Sequence, residues 1–179
     1  MKIARRFATA LLAALLLITP ALAGAFTDVT QTTPYADAID ALFEMEVVSG
    51  YPNGTYRPNG SYTREEFAKL LFGLLAKGET SSLTKAPFAD VAQDRWSAPA
   101  IAWAVKTGAV QGRDDGLFWP QDTVSVEEAA KMLLVASGLV QETLAYPDGY
   151  MQAAREMGLF EGLTQEVATR GSVAQMAWN

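Results

Sequence analysis

The 179-residue chain contains neither cysteine nor histidine, and these two absences exclude several classes of protein. Without cysteine there are no disulfides, so the fold must be stabilised by its apolar core, for which a 50% share of hydrophobic residues is sufficient. The chain also lacks the commonest general base, the thiol nucleophiles and the usual zinc ligands. An enzyme built from this sequence would have to use carboxylates, Ser, Thr, Lys or Tyr.

Positive charge is scarce and lies partly in an N-terminal segment with the pattern of a secretory signal peptide. Three basic residues occur within residues 1–6, an apolar stretch of 13 residues follows, and Ala21-Leu22-Ala23 ends the segment with small residues where signal peptidase reads them. We therefore predict a signal peptide over residues 1–23, cleavage after Ala23, and a secreted protein without membrane attachment after cleavage. An uncleaved anchor is the alternative, but the apolar stretch is too short to span ~30 Å of hydrocarbon.

The chain that follows the predicted signal peptide is acidic. Removing residues 1–23 removes three of the 14 basic residues and none of the 20 acidic ones, which leaves a net charge of −9. No basic cluster remains, and this argues against nucleic acid as a partner. The run Asp114-Asp115-Gly116 has too few alternating oxygen ligands for a calcium loop and indicates a turn, so no metal site is predicted.

What the chain does contain is an internal repeat with a constant offset of 62 residues. Two glycines and a proline are among the repeated landmarks, and each of these residues marks a special backbone demand. A third, shorter copy follows, in which Gly108 and Gly112 match Gly158 and Gly162 at an offset of 50. The landmarks of the first two copies are Phe26, Asp28, Val29, Gly50, Gly54, Pro58 and Thr63, matched by Phe88, Asp90, Val91, Gly112, Gly116, Pro120 and Ser125.

Each copy has the pattern of a helix, a turn-rich loop and a second, longer helix. Thr63 with Glu66 and Ser125 with Glu128 form capping boxes at the start of the long helices. In the third copy Ser172 takes the place of the capping Glu, so we expect weaker local support for that helix.

The long helix of each copy carries a row of apolar side chains that the same copy cannot cover. This decides the predicted architecture. We predict one all-α domain of three helix-loop-helix repeats that pack their long helices around one centre, with pseudo-threefold, trefoil-like symmetry. Grooves between adjacent units are the natural binding sites of such a domain. A linker is expected at about Ala76 to Ala86, and the predicted units are residues 24–77, 86–137 and 146–179.

The order of these motifs resembles the S-layer homology domain family. The first unit carries Phe26-Thr27-Asp28-Val29, then Gly50-Tyr51-Pro52-Asn53-Gly54, then Thr63-Arg64-Glu65-Glu66. The second unit carries Phe88-Ala89-Asp90-Val91, then Gly112-Arg113-Asp114-Asp115-Gly116, then Ser125-Val126-Glu127-Glu128. The third unit is degenerate and matches only through Gly158-Leu159-Phe160-Glu161-Gly162 and Thr169-Arg170.

The resemblance implies a non-catalytic anchor without a cofactor, located at the cell wall or in the surface layer. The expected partner is an anionic cell-wall polysaccharide, in this family usually a secondary cell-wall polymer whose terminal sugar carries a ketal-linked pyruvate. The polymer-binding residues that the family motif implies are Arg64, Arg170, Gly50 and Gly112. Val126 stands where the middle unit would carry its arginine, so a groove that relies on this position should bind weakly or differently.

Residue chemistry supports these arginines and adds three further candidates. A guanidinium group in the first helical turn can offer a fork of two N–H donors to a carboxylate, beside free backbone N–H groups. Trp96 could stack on a sugar face, whereas Asp28 and Asp90 could contact the polymer or instead pin a neighbouring loop. Trp103 is expected in the core, and Trp119 lies beside a loop and could stack or pack.

Two other functions stay open from the sequence. The chain could be a structural subunit that assembles with its own kind or with other surface-layer proteins, or it could bind peptidoglycan itself. A glycoside hydrolase is disfavoured because the carboxylate pairs at Glu65-Glu66 and Glu127-Glu128 lie in capping sequences. Family members usually carry a long cargo region, so this chain is expected to be either a stand-alone anchor or a piece of a longer protein.

Overall fold

The computed structural model describes residues 24–79, 86–140 and 144–179. The predicted signal peptide and residues 80–85 of the predicted linker lie outside the described residues. Within the described ranges the chain is all-helical, with two isolated bridges and no strand, which confirms the predicted all-α class. No helix in these ranges has the length and apolar content needed to cross a membrane. The helices are α1 (Ala36–Glu44), α2 (Arg64–Leu75), α3 (Ala98–Lys106), α4 (Val126–Ala136), α5 (Asp148–Glu156) and α6 (Arg170–Trp178).

The long helices α2, α4 and α6 each begin with a reciprocal side-chain cap. The predicted capping boxes of α2 and α4 are confirmed. In α6 the hydroxyl group of Thr169 accepts from the backbone N–H of Ser172, and the hydroxyl group of Ser172 accepts from the backbone N–H of Thr169 at 2.9 Å. The replacement of the glutamate thus does not leave α6 uncapped, because a serine hydroxyl group closes the cap where the other units use a carboxylate.

The six helices pack in a cyclic pattern. Each long helix makes its main contacts with the first helix of the next unit: α2 packs on α3, α4 on α5, and α6 on α1. This differs from the prediction that the long helices pack mainly on one another, since the contact between α2 and α4 is smaller than any of these three. In the contact between α2 and α3 the ring of Phe72 packs edge-on against that of the buried Trp103, with the ring centres 5.9 Å apart. The predicted core position of Trp103 is confirmed.

The loops lock this arrangement at the first turn of two long helices. The backbone N–H of Arg64 donates to the carbonyl of Asp122 at 2.8 Å, and that of Arg170 donates to the carbonyl of Gly60 at 2.7 Å. Asp122 and Gly60 are 62 residues apart, so the two bonds are copies of one another. The backbone N–H groups beside these arginines are therefore occupied by a neighbouring loop, which corrects the expectation that they are free for a ligand.

Candidate functional site

Two small open grooves occupy equivalent positions between the units. The Gly50 groove has a volume of about 240 Å³, and the residues used here to define it are Gly50, Tyr51, Glu66, Lys69, Trp96 and Arg170. The Gly112 groove has a volume of about 330 Å³ and is defined by Arg64, Gly112, Asp114, Glu128, Lys131 and Tyr146. The structure thus places both predicted arginines, both predicted glycines and Trp96 in these two grooves.

All three units contribute to each groove. In the Gly50 groove the loop and long helix come from the first unit, Arg170 from α6, and Trp96 from the segment before α3. In the Gly112 groove the second unit supplies the loop and long helix, Arg64 comes from α2, and Tyr146 comes from the segment before α5. Trp96 and Tyr146 are 50 residues apart, the same offset that relates the glycines of the second and third copies. The Gly50 groove, which takes Arg170 from α6, therefore forms only when the last unit packs against the first.

Arg170 is buried in an aromatic cage, with 4% of its surface exposed. Its guanidinium carbon lies 5.1, 4.8 and 4.4 Å from the ring centres of Tyr51, Tyr56 and Tyr62. Its Nε donates to the carbonyl of Tyr56 at 2.8 Å, and its Nη1 lies 3.4 Å from Glu66. Burial raises the pKa of Tyr62 above its ordinary value, so this phenol stays neutral beside the cation.

Arg64 has equivalent partners in the Gly112 groove. It is 5% exposed, its Nε donates to the carbonyl of Phe118 at 2.8 Å, and its Nη1 forms an ion pair with Glu128. Glu128 also accepts from the backbone N–H of Ser125, so one carboxylate serves both the helix cap and the arginine of the preceding unit. The fork of two free N–H donors expected for a ligand is thus largely used within the protein, and this part of the prediction is corrected.

The two groove glycines are required first for packing. A Cβ on Gly50 would lie 2.5 Å from Cε1 of Phe26, and a Cβ on Gly112 would lie 2.7 Å from Cε1 of Phe88. Gly112 also has a φ of +79°, which L side chains rarely adopt. These glycines let the phenylalanines pack directly beneath the floor of each groove.

Asp28 and Asp90 pin the loops and line neither groove. The two carboxylate oxygens of Asp28 accept from the backbone N–H groups of Tyr56 and Arg57, at 2.7 and 2.8 Å. Burial raises the pKa of Asp28, but these hydrogen bonds outweigh it and hold the pKa below its ordinary value. Asp90 repeats the arrangement with the two corresponding residues of the second unit. The structure thus favours the loop-pinning alternative over polymer contact for both.

Glu65 and Arg95 form an interaction that the sequence analysis missed. Glu65 was assigned to the cap of α2, but it is 5% exposed and accepts two hydrogen bonds from Arg95 and one from Ser97, all at 2.6 to 2.7 Å. This pair joins α2 to the segment before α3. Because Arg95 precedes Trp96 directly, the pair also fixes the chain that carries Trp96 into the Gly50 groove.

The sequence analysis also missed Lys69 and Lys131, as it did Tyr146. Each lysine lines its groove from the long helix, and the two are 62 residues apart. That repeat offset was the signal that could have identified them, because a lysine at the same position of both copies faces the same part of both grooves. Gln175 occupies the corresponding position of α6.

The third equivalent position lacks the charges of the other two. Val126 stands at the arginine position and Ser172 at that of the capping glutamate, so both members of the Arg–Glu pair are replaced together. A shallow depression there is lined by Pro34, Tyr35 and Gly162, among others.

Tyr35 fills part of this third position. A Cβ on Gly171 would lie 3.0 Å from Cδ2 of Tyr35, so the glycine in α6 lets the ring pack closely. The hydroxyl group of Tyr35 accepts from the backbone N–H of Thr164 at 3.1 Å. Where the third unit departs from the repeat pattern, the ring of Tyr35 from the first unit therefore packs against α6.

Comparison with known proteins gives one family and a group of surface proteins. Residues 25–68 and 87–130 match the family model described as the S-layer homology domain. A cell surface protein of Thermoanaerobacter kivui is 30% identical over 155 residues, which cover 83% of this chain and 20% of that protein. A surface layer protein of Brevibacillus choshinensis is 27% identical over 170 residues, which cover 90% of this chain and 15% of that protein.

Enzymes are also among the similar proteins. An endoglucanase of Bacillus sp. (strain KSM-635) is 31% identical over 123 residues, which cover 69% of this chain and 13% of the enzyme. The chain therefore spans about a fifth or less of the length of these three relatives.

Proposed function

Because residues 25–68 and 87–130 of this chain are S-layer homology modules, we propose that it anchors non-covalently to a cell-wall polysaccharide through the Gly50 and Gly112 grooves. The observation that carries the proposal is the duplication of one groove design at equivalent positions. Each groove combines a glycine floor, two cationic side chains and an aromatic side chain from the next unit. The similarity of this chain to a cell surface protein and a surface layer protein supports a location at the cell surface, in wall anchoring or in surface assembly.

The proposed ligand is an anionic secondary cell-wall polymer with ketal-linked pyruvate on its terminal sugar. The net charge of −9 disfavours long-range attraction of such a polymer, so the affinity must come from local contacts and from two grooves acting on one polymer chain. Trp96 is 56% exposed and offers a ring face to a sugar at the rim of the Gly50 groove. Tyr146, 54% exposed, takes this role in the Gly112 groove.

We also propose that residues 146–179 form a third, degenerate module. Support comes from the capped helix α6, from its packing on α1, and from the backbone bond between Arg170 and Gly60 that repeats the bond between Arg64 and Asp122. In this proposal the third module closes the ring and supplies Arg170 to the Gly50 groove, while Tyr35 occupies part of its own groove position. No enzymatic role is proposed, and the activity named for the endoglucanase belongs to a protein of which the matched segment is 13%.

Co-sedimentation with purified cell walls tests the anchoring function. The walls should carry pyruvylated polymer, and each preparation is used before and after mild acid, which strips pyruvate ketals and non-covalent polymers and leaves peptidoglycan. We expect binding to intact walls and its loss after stripping. Replacing Trp96 and Tyr146 together with alanine should weaken binding, whereas Trp178→Ala, which removes a ring of similar exposure outside both grooves, should not.

The other outcomes point to different functions. Binding that survives stripping would replace the polymer by peptidoglycan as the ligand. An absence of wall binding together with concentration-dependent oligomers would favour lateral assembly. The exposed apolar side chains of Leu139, Met157 and Trp178, which lie outside the two grooves, are the observation that keeps assembly as the second candidate.

A further inference from the structure

We propose that Lys69 and Lys131, rather than Arg64 and Arg170, supply the positive charge that a ligand carboxylate meets in the two grooves. This inference rests on the proposed function and assigns roles within the same site. In it the lysines contact the ligand, and the arginines are positioning residues that hold the groove walls in place.

The arginines already have partners that neutralise them. Arg64 is paired with Glu128 and Arg170 lies beside Glu66, and both guanidinium groups are about 95% buried. In each case Nε donates to a loop carbonyl, so Nε and one Nη cannot together form the bidentate pair that makes arginine a strong carboxylate ligand. Such an arginine stabilises the junction between units, because removing it would leave a carboxylate without its partner.

The lysines differ on each of these points. In the part of the chain that the structure describes, neither ammonium group takes part in an ion pair. Their ring contacts are at the outer limit of a cation–π interaction: Nζ of Lys69 lies 5.6 Å from the ring centre of Phe72, and Nζ of Lys131 lies 5.9 Å from those of Tyr146 and Tyr150. Both lysines line the grooves, and their flexible stems let the ammonium groups reach a ligand without disturbing the helix.

The two grooves also differ in charge, and this difference predicts which of them binds an anionic ligand more tightly. The Gly50 groove contains Arg170, Lys69 and a single carboxylate, Glu66. The Gly112 groove has the same three charges and adds the carboxylate of Asp114. An extra negative group within a groove disfavours an anionic ligand, so the Gly50 groove should bind a carboxylate-bearing sugar more tightly.

A matched pair of ligands tests the assignment. The probes are a hexosamine methyl glycoside carrying a pyruvate ketal and the methyl ester of the same compound, which lacks the negative charge and carries one additional methyl group. Binding of both is measured by titration calorimetry on residues 24–179, which contain the whole described fold. We expect Lys69→Met to weaken binding of the acid about tenfold and to leave that of the ester unchanged, since one charged hydrogen bond is lost.

Control variants separate the lysine role from a general loss of structure. Lys106→Met removes one positive charge from a surface pair outside the grooves and should change neither affinity. Arg170→Met should lower the melting temperature and weaken acid and ester by the same factor, which leaves their ratio unchanged. Lys131→Met should produce a smaller change in the acid-to-ester ratio than Lys69→Met.

The outcomes distinguish this inference from the function on which it rests. If the wild-type protein binds acid and ester equally, or if Arg170→Met and not Lys69→Met removes the preference for the acid, the lysine assignment is overturned while sugar binding in the grooves stands. If the wild-type protein binds neither probe and does not sediment with walls, the proposed function fails together with the inference.

Discussion

Replacing Glu65 with alanine tests how strongly the first two units are joined. The carboxylate of Glu65 accepts three hydrogen bonds, two from the guanidinium group of Arg95 and one from the hydroxyl group of Ser97. The Glu65 side chain is 6% exposed and that of Arg95 is 24% exposed. The substitution therefore removes the partner of a partly buried cation and of a fully buried hydroxyl group.

The expected loss in the free energy of unfolding follows from how exposed the two side chains are. Removing one member of a buried ion pair costs about 3 to 5 kcal/mol, because the remaining charge is left without compensation. Arg95 is near enough to the surface to regain part of its hydration, which favours the lower end, about 3 kcal/mol. In a domain of about 150 residues this loss lowers the melting temperature by roughly 6 to 10 °C.

Urea unfolding followed by circular dichroism measures this loss directly. Glu79→Ala is the matched control, because Glu79 forms an ion pair with Lys106 in which both side chains are more than half exposed, and its loss should cost less than ~1 kcal/mol. A double-mutant cycle of Glu65→Ala with Arg95→Ala should give a coupling of about 2 kcal/mol. Equal costs for Glu65→Ala and Glu79→Ala, or no coupling to Arg95, would refute the proposed junction.

Three further predictions concern the loops and the third unit. Gly112→Ala should destabilise the protein by at least about 2 kcal/mol because the Cβ would meet Phe88, whereas Gly116→Ala, at a similar φ with open space around it, should cost only about 1 kcal/mol in urea unfolding. The pKa of Asp28 is lowered on folding, so its contribution is complete above about pH 4 and is lost as the pH falls through the folded value. The stability difference between wild type and Asp28→Asn should accordingly be larger at pH 6 than at pH 3. Ser172→Ala should cost up to about 1 kcal/mol, measured as a lower urea midpoint, because it removes the hydroxyl group that accepts from the backbone N–H of Thr169 and leaves the other half of the cap in place.

Local features of the fold were predictable because they depend on residues close together in sequence. A capping box needs only positions three residues apart, so Thr63 with Glu66 and Ser125 with Glu128 identified the starts of α2 and α4. For α6 the replacement of the capping glutamate by Ser172 predicted weaker local support, and this reasoning did not foresee that a serine hydroxyl group also closes the cap. A hydroxyl group on the first turn is near enough, and the structure shows the reciprocal pair.

The candidate grooves were predictable in part. The resemblance to the S-layer homology family implied Gly50, Gly112 and the two arginines as binding residues, and the two grooves contain them. The availability of the arginines could not be read from the sequence, because their partners Glu66 and Glu128 lie 104 and 64 residues away. The lysines carried a visible repeat signal, but an isolated lysine on a helix is ordinarily a solvated charge and did not stand out.

The sequence by itself determined the units of this protein, namely a helix-loop-helix repeat with glycines at the turns and hydroxyl or carboxylate caps on the long helices. These features depend on backbone sterics and on hydrogen bonds over a few residues. Only the tertiary structure decided how the units meet: α6 of the last unit packs on α1 of the first, which brings Arg170 to the loop of Gly50. The physical reason is that each apolar stripe can be buried by several partners, and the choice among them depends on shape and charge across the closed ring rather than on local sequence.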